Sequence, residues 1–319
     1  VAYDGSSLLV VDVLSGRVVD SYPLGAVVRT LAVDYSSGTI GVWTEALEAE
    51  GIGTGDQSDS MSNGGGLATI STGFRTFKFS GSFLFPAPGA DPEIALRTQS
   101  LTMGGGYLFA GGADGGLAVK TPRSSRVVQL AKREIAPVTG VAVSEGAIHL
   151  TVGNRLLSLK TELFEERRRP EIELRSFSAS VRTLPYEHIT GIMNTPNRYL
   201  YLWGAREPEY LGQEQGALLT EFDPVTQNSR EITRSDWSRI VDVTWFDGTL
   251  LLLHEDGVFR QIDPFSGETR YRYSSLGMQK VLGTAEHGSI VARNRTNRFE
   301  SSLLQIDATT GKTDLLEHD

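Results

Sequence analysis

The residues that invite a chemical reading are few. The segment "ATTGKT" at 308–313 ends in Gly-Lys-Thr, as does a phosphate-binding loop in which backbone amides cradle phosphate and the lysine neutralises it. That loop needs a glycine five places before Gly311, where Ile306 stands, so the segment reads as a turn. "GIGTGD" at 51–56 clusters glycines without the spacing or the strand-to-helix context that brings a backbone against a dinucleotide. The histidines at 149, 188, 254, 287 and 318 show no metal-ligand spacing, although His188 and His254 fall nearest the long loops discussed below. The chain has no cysteine, which excludes thiolate catalysis, disulfides and cysteine zinc sites together. No Gly-x-Ser-x-Gly nucleophile elbow occurs. Glu207, Glu209 and Asp236 could pair as acid and base, which only their separation in space decides. The Asn-Arg-Thr sequon at 294–296 matters only in a eukaryotic secretory setting. No catalytic residue, metal or cofactor is therefore expected.

The elements that would position any site are better marked. "HEDGVFRQIDPFSGETRYRY" at 254–273 reads as a strand, a turn and a second strand, and the device recurs at 8–19, 218–232 and 303–316. Asp223, Asp263 and Asp307 follow one another at a spacing of about 40 residues, the length of one four-stranded unit. Each has an apolar residue directly before it (Phe222, Ile262, Ile306) and another four before it (Leu219, Phe259, Leu303). That odd separation puts the two on opposite faces of a strand, so each strand is covered on both sides. The aspartate can accept from backbone amides ahead of it, while Gly16, Gly267 and Gly311 can take positive φ, with Asn228 expected to do so in the copy without glycine.

The predicted fold is all-β, a β-propeller of seven blades with four antiparallel strands each, A to D from the centre outward, in a single domain. Blades are expected at about 27–81, 97–131, 137–180, 188–233, 239–274 and 278–318, with residues 1–25 supplying an incomplete first blade. The charged stretch "LFEERRRPEIEL" at 163–174 reads as a loop, since Pro170 stops any helical turn.

"YLFAGGADGGLAVKT" at 107–121 and "DVLSGRVVDSY" at 12–22 resemble the repeats of quinoprotein-dehydrogenase-like (PQQ-like) propellers, whose units carry Asp-x-x-Ser/Thr-Gly followed by a strand. The resemblance implies the propeller fold. It leaves function open, because that superfamily holds quinone enzymes and also non-catalytic scaffolds, including an envelope lipoprotein that helps assemble outer-membrane proteins. The tryptophan expected shortly after the turn glycine, which helps dock blades in the enzyme branch, is replaced in "GRVVDSY", "GETRYRY" and "GKTDLL".

Loop lengths suggest where binding would occur. The long segments 45–66, 83–94, 180–187 and 205–216 are all B–C or D–A connections, on one face of a propeller. Tyr186, Arg206, Tyr210, Trp237 and Arg239 are the candidate partner anchors there, because aromatic and arginine side chains dominate interface hot spots. Arg29, Arg97 and Lys280, on expected A strands, are candidates to line the central channel and attract an anion.

The chain of 319 residues carries 30 basic and 39 acidic side chains, a net charge of −9, which speaks against a general nucleic-acid binder. No apolar run is long enough to span a membrane as a helix, although a lipid tether is compatible. A start at Val1, with no methionine or apolar leader, reads as a processed or trimmed product. The sequence points first to a non-enzymatic scaffold that binds another protein, placed in the periplasm or elsewhere outside the cytoplasm of a bacterium. A propeller enzyme (hydrolase, lyase or quinone-linked oxidoreductase) and a carbohydrate or small-ligand binder at the channel mouth are the alternatives.

Overall fold

The computed structural model describes residues 2–4, 7–12, 17–23, 27–34, 39–45, 66–73, 78–79, 98–104, 107–112, 117–120, 127–131, 137–144, 146–160, 180–206, 216–235, 238–246, 248–274, 278–284, 289–295, 301–307, 310 and 312–315. Among the described residues there is no helix, and nearly all lie in strands. The strands fall into sheets of antiparallel neighbours taken in chain order.

A three-stranded sheet comes first: β1 (Ala2–Asp4), β2 (Ser7–Asp12) and β3 (Arg17–Pro23). A four-stranded sheet follows, with β4 (Val27–Asp34), β5 (Thr39–Glu45), β6 (Gly66–Gly73) and β7 (Lys78–Phe79). The next holds β8 (Thr98–Gly104), β9 (Tyr107–Gly112), β10 (Leu117–Lys120) and β11 (Val127–Ala131). After it come β12 (Val138–Ser144), β13 (Ala147–Val152), β14 (Arg155–Lys160) and β15 (Ser180–Thr183). The fifth sheet is β16 (Tyr186–Asn194), β17 (Leu200–Arg206), β18 (Ala217–Phe222) and β19 (Ser229–Ser235). It is followed by β20 (Ile240–Phe246), β21 (Thr249–His254), β22 (Val258–Ile262) and β23 (Thr269–Ser274). The last sheet is β24 (Met278–Thr284), β25 (Ser289–Arg295), β26 (Ser301–Asp307) and β27 (Thr313–Leu315).

Successive sheets pack face to face, and this is why their middle strands are buried on both faces. Every residue of β18 and β21 is buried. Phe222 packs with Ala142 and Leu156 of the preceding sheet, whereas Leu219, three residues earlier on the same strand, packs with Leu250 and Leu252 of the following one. The strand is thus covered on both faces, as the odd spacing requires. The first strands β4, β8, β12, β16, β20 and β24 touch in that order, which sets the sheets side by side around their inner edges.

The turn that recurs in the sequence has a definite geometry. Asp263 Oδ1 accepts from the amides of Phe265 at 2.8 Å and Ser266 at 3.2 Å, and Asp223 Oδ1 accepts from those of Val225 at 2.8 Å and Thr226 at 3.2 Å. Asp307 Oδ1 accepts from the amide of Thr310 at 2.8 Å. Gly267 takes φ 74°, in the left-handed region, and a Cβ there would come within 2.4 Å of the Ile232 carbonyl oxygen on the neighbouring sheet. In the copy without glycine, Gln227 takes this role with φ 63°, not Asn228 as expected. It stands four residues after its aspartate, as Gly267 does, and its Nε2 donates to the Pro224 carbonyl at 2.9 Å. Gly16 and Gly311 lie outside the described residues.

Candidate functional site

The antiparallel register aligns residues in rows across each sheet, and one row in each of two neighbouring sheets lies near the edge that bears the 223–228 turn. In the sheet β16–β19 the row is Met193, Tyr201, Glu221 and Arg230. In the preceding sheet, β12–β15, it is Ala142, His149, Ser158 and Ser180.

In the β16–β19 row, the Tyr201 hydroxyl donates to Glu221 Oε2 at 2.7 Å. Arg230 donates to Glu221 Oε1 from Nη2 at 3.0 Å and from Nε at 3.3 Å. Its guanidinium also crosses to the next sheet's turn, with Nη1 donating to the Phe265 carbonyl and Nη2 to the Pro264 carbonyl, both at 2.7 Å. Burial and the adjacent Glu221 carboxylate push the Tyr201 hydroxyl above its ordinary range, so it stays a protonated donor.

The β12–β15 row is built differently. Ser144 Oγ and His149 Nε2 are 2.7 Å apart, and His149 Nδ1 lies 2.8 Å from Ser158 Oγ. The imidazole is buried, and that burial lowers its pKa to about 4, so it is neutral near pH 7. Ser180 stands where the neighbouring sheet carries Arg230, and beside this row a cleft of about 260 Å³ opens. It is lined by Ser144, His149, Ser158, Lys160 and Ser180 on one side and by Pro224, Val225 and Gln227 of the following sheet's turn on the other.

A Ser-His pair at hydrogen-bond distance can in principle pass a proton to make an alkoxide nucleophile. Here the second imidazole nitrogen meets a neutral hydroxyl, not a carboxylate that would hold an imidazolium, and the low pKa makes the ring a weak base. The arrangement is suited to hydrogen bonding at the cleft floor. Sequence reading missed it because His149 acquires its partners only through cross-strand register.

The anchors expected from the sequence are distributed otherwise. Tyr186, expected as a surface anchor, is fully buried. Its hydroxyl donates to the Leu202 carbonyl at 2.7 Å and meets Thr220 Oγ1 at 2.8 Å, so it packs and ties three strands together. Arg206, paired with Tyr186 in register, is half-buried, and Arg239 is exposed, its carbonyl accepting from the Glu255 amide at 2.9 Å. Both lie at the edge of the sheets opposite the cleft. Tyr210, Trp237, Arg97, Glu207, Glu209, Asp236, His287 and His318 lie outside the described residues. Arg29 and Lys280 fall on the first strands β4 and β24, with side chains outside what is described. His188 is exposed, whereas His254 is buried with neither ring nitrogen hydrogen-bonded; burial first, then the nearby Arg260 charge, lower its pKa. Among the described residues no three histidine or carboxylate side chains gather as a metal site.

Comparison with known proteins bears on the fold. No protein-family model matches the chain, and no curated protein does. Among solved structures, the extracellular domain of BT4673 from B. thetaiotaomicron, assigned to a one-component system, aligns with a TM-score of 0.57 at 15% identity. The alignment covers 99% of this chain and 35% of that one, so the chain spans about a third of its length. AztD from Citrobacter koseri, solved in the apo form, aligns with a TM-score of 0.59 at 12% identity over 98% of this chain and 92% of that one. The chain therefore has an all-β fold of the β-propeller type.

Proposed function

We propose that the chain is a seven-bladed β-propeller that acts outside the cytoplasm of a bacterium as a non-enzymatic binding domain for another protein. Among the described residues, six four-stranded sheets and one three-stranded sheet, each stacked on the next, support seven blades. The extracellular setting of the BT4673 domain supports the compartment. The weak base at His149 favours binding over acyl transfer.

The observation that carries the binding reading is the pair Val225 and Phe265, 76% and 72% exposed at the same turn position of consecutive sheets. Each turn is fixed by its aspartate, so these apolar side chains are held out in water on an ordered backbone. Burying them against a partner gains apolar area without ordering a loop first. The proposed contact is on the turn edge of the sheets, opposite the edge that bears Arg206 and Arg239.

The test is a quantitative cross-linking pull-down from a native envelope extract. Wild type is compared with Val225→Asp/Phe265→Asp and with Arg206→Ala/Tyr210→Ala/Trp237→Ala, each checked for an unchanged thermal melt. Loss of one specific partner with the turn variant alone supports the reading. Loss only with the second variant moves the contact to the long-loop edge, and unchanged capture by both removes the proposal.

A further inference from the structure

The cleft beside Ser180 has a filled counterpart one sheet along. In the seam between β16–β19 and the 263–268 turn, Arg230 reaches from the fourth strand, donates to the Glu221 carboxylate and donates to two turn carbonyls. In the seam between β12–β15 and the 223–228 turn, the corresponding row position is Ser180, and the opposing turn has the same Asp-Pro-apolar start, Asp223-Pro224-Val225. The two seams face turns with the same start, and where the first row carries Tyr201, Glu221 and Arg230 the second carries His149, Ser158 and Ser180. The cleft lies where the arginine side chain is replaced by a serine.

We propose that this cleft receives the guanidinium of an arginine side chain carried by the polypeptide partner. The proposal rests on the preceding reading only in taking the partner to be a polypeptide. A guanidinium is donor-only and planar, and it is satisfied by carbonyl and hydroxyl oxygens arranged around it. The cleft offers the hydroxyls of Ser144, Ser158 and Ser180, and the turn carbonyls across it correspond to those that accept from Arg230. The Pro224 carbonyl is already met by an uncharged amide donor, Gln227 Nε2. His149 at the floor is neutral and adds no repulsion. Lys160, the one cation among the lining residues, is exposed, where water and salt screen it. The chain's net charge of −9 favours a cationic visitor at long range.

The experiment uses N-acetyl-arginine amide as the probe and its neutral isostere N-acetyl-citrulline amide as the control, with the His149 ring resonances and calorimetry as readouts. The arginine probe is expected to shift the His149 signals and to bind at least about tenfold more tightly than citrulline, as a charge-assisted donor should. Ser180→Arg, which supplies the missing guanidinium from within, is expected to abolish probe binding while the melt is unchanged or raised. Gln227→Glu, which keeps the side-chain shape and adds a carboxylate at the rim, is expected to tighten the arginine probe several-fold, so the test survives a misfolded Ser180 variant. Equal affinity for the two probes, or no arginine-dependent shift in folded wild type, overturns the proposal. Because the probe is a single residue, failure here leaves the partner capture by Val225 and Phe265 to be judged separately.

Discussion

Arg230 on one sheet donates to the Phe265 carbonyl on the next at 2.7 Å, and the same guanidinium holds Glu221 on its own sheet. The contact adds a charged link between two sheets that also pack through Leu219, Leu250 and Leu252, and it fixes the turn that displays Phe265. Removing it with Arg230→Ala leaves the mostly buried Glu221 carboxylate held by the Tyr201 hydroxyl without its charged partner. With Arg230 itself 46% exposed, the expected loss is about 1–2 kcal/mol. Arg230→Lys should recover little, because an ammonium cannot bridge three acceptors in one plane. Equilibrium denaturation checks this, and a stability within error of wild type for both variants would remove Arg230 from the inter-sheet contacts.

Tyr186 makes a comparable claim inside one sheet. Its hydroxyl bridges the Leu202 carbonyl and Thr220 Oγ1 with the whole side chain buried. Tyr186→Phe keeps the packing and strands those two polar atoms, at an expected cost of about 1–2 kcal/mol. The additional change Thr220→Val, which removes one orphan, should return part of that loss. A double variant less stable than the sum of the singles would show that the hydroxyls do not act as a pair.

The repeat was legible because it is written in local chemistry: an aspartate that accepts its own downstream amides and an odd apolar spacing that both neighbouring sheets read. Phe222 and Leu219 fall on the expected opposite faces for that reason. The site was not legible, since its partners are set by register between strands. His149 meets Ser158 only because β13 and β14 pair without a shift, and nothing in the local sequence marks that. Tyr186 misled for a related reason: an aromatic residue at the start of a strand looks like a surface anchor until Leu202 and Thr220, on two other strands, are found beneath it. Gln227 shows the limit of residue preference as a guide. Position after the aspartate, not residue type, decides which backbone turns left-handed.

Gly267 tests the same point from the other side. Its φ of 74° and the 2.4 Å approach of a would-be Cβ to the Ile232 carbonyl act together, one local and one between sheets. Gly267→Ala is expected to cost about 2–3 kcal/mol, more than the left-handed backbone alone would take from an alanine. Gln227→Ala, at the matching position of the previous turn, keeps a Cβ that the native residue already carries in that conformation and should cost about 1 kcal/mol, roughly the loss of one half-buried hydrogen bond. Chemical melts of the two variants separate the terms. Equal losses would mean that the clash with Ile232 relaxes at no cost.

His149 gives the fold a pH dependence of known sign. Burial lowers its pKa to about 4, whereas in the unfolded chain the ring titrates near its ordinary value of 6.5. Between those two values the unfolded chain binds a proton that the folded chain refuses, so stability falls as pH drops from 6.5 towards 4 and changes little above 6.5 on account of this group. The full difference corresponds to about 3 kcal/mol. Ser144 and Ser158 deepen the prediction, because a protonated ring would donate from both nitrogens and both serine oxygens can accept; the lowering therefore comes from burial, not from lack of acceptors. His149→Gln keeps an amide between the two serines and has nothing to titrate. Its stability should stay flatter than that of wild type across this window, while the two proteins respond alike below pH 4, where the carboxylates take over. Parallel curves between pH 6.5 and 4 would place the His149 ring in water and undo the account of the cleft floor.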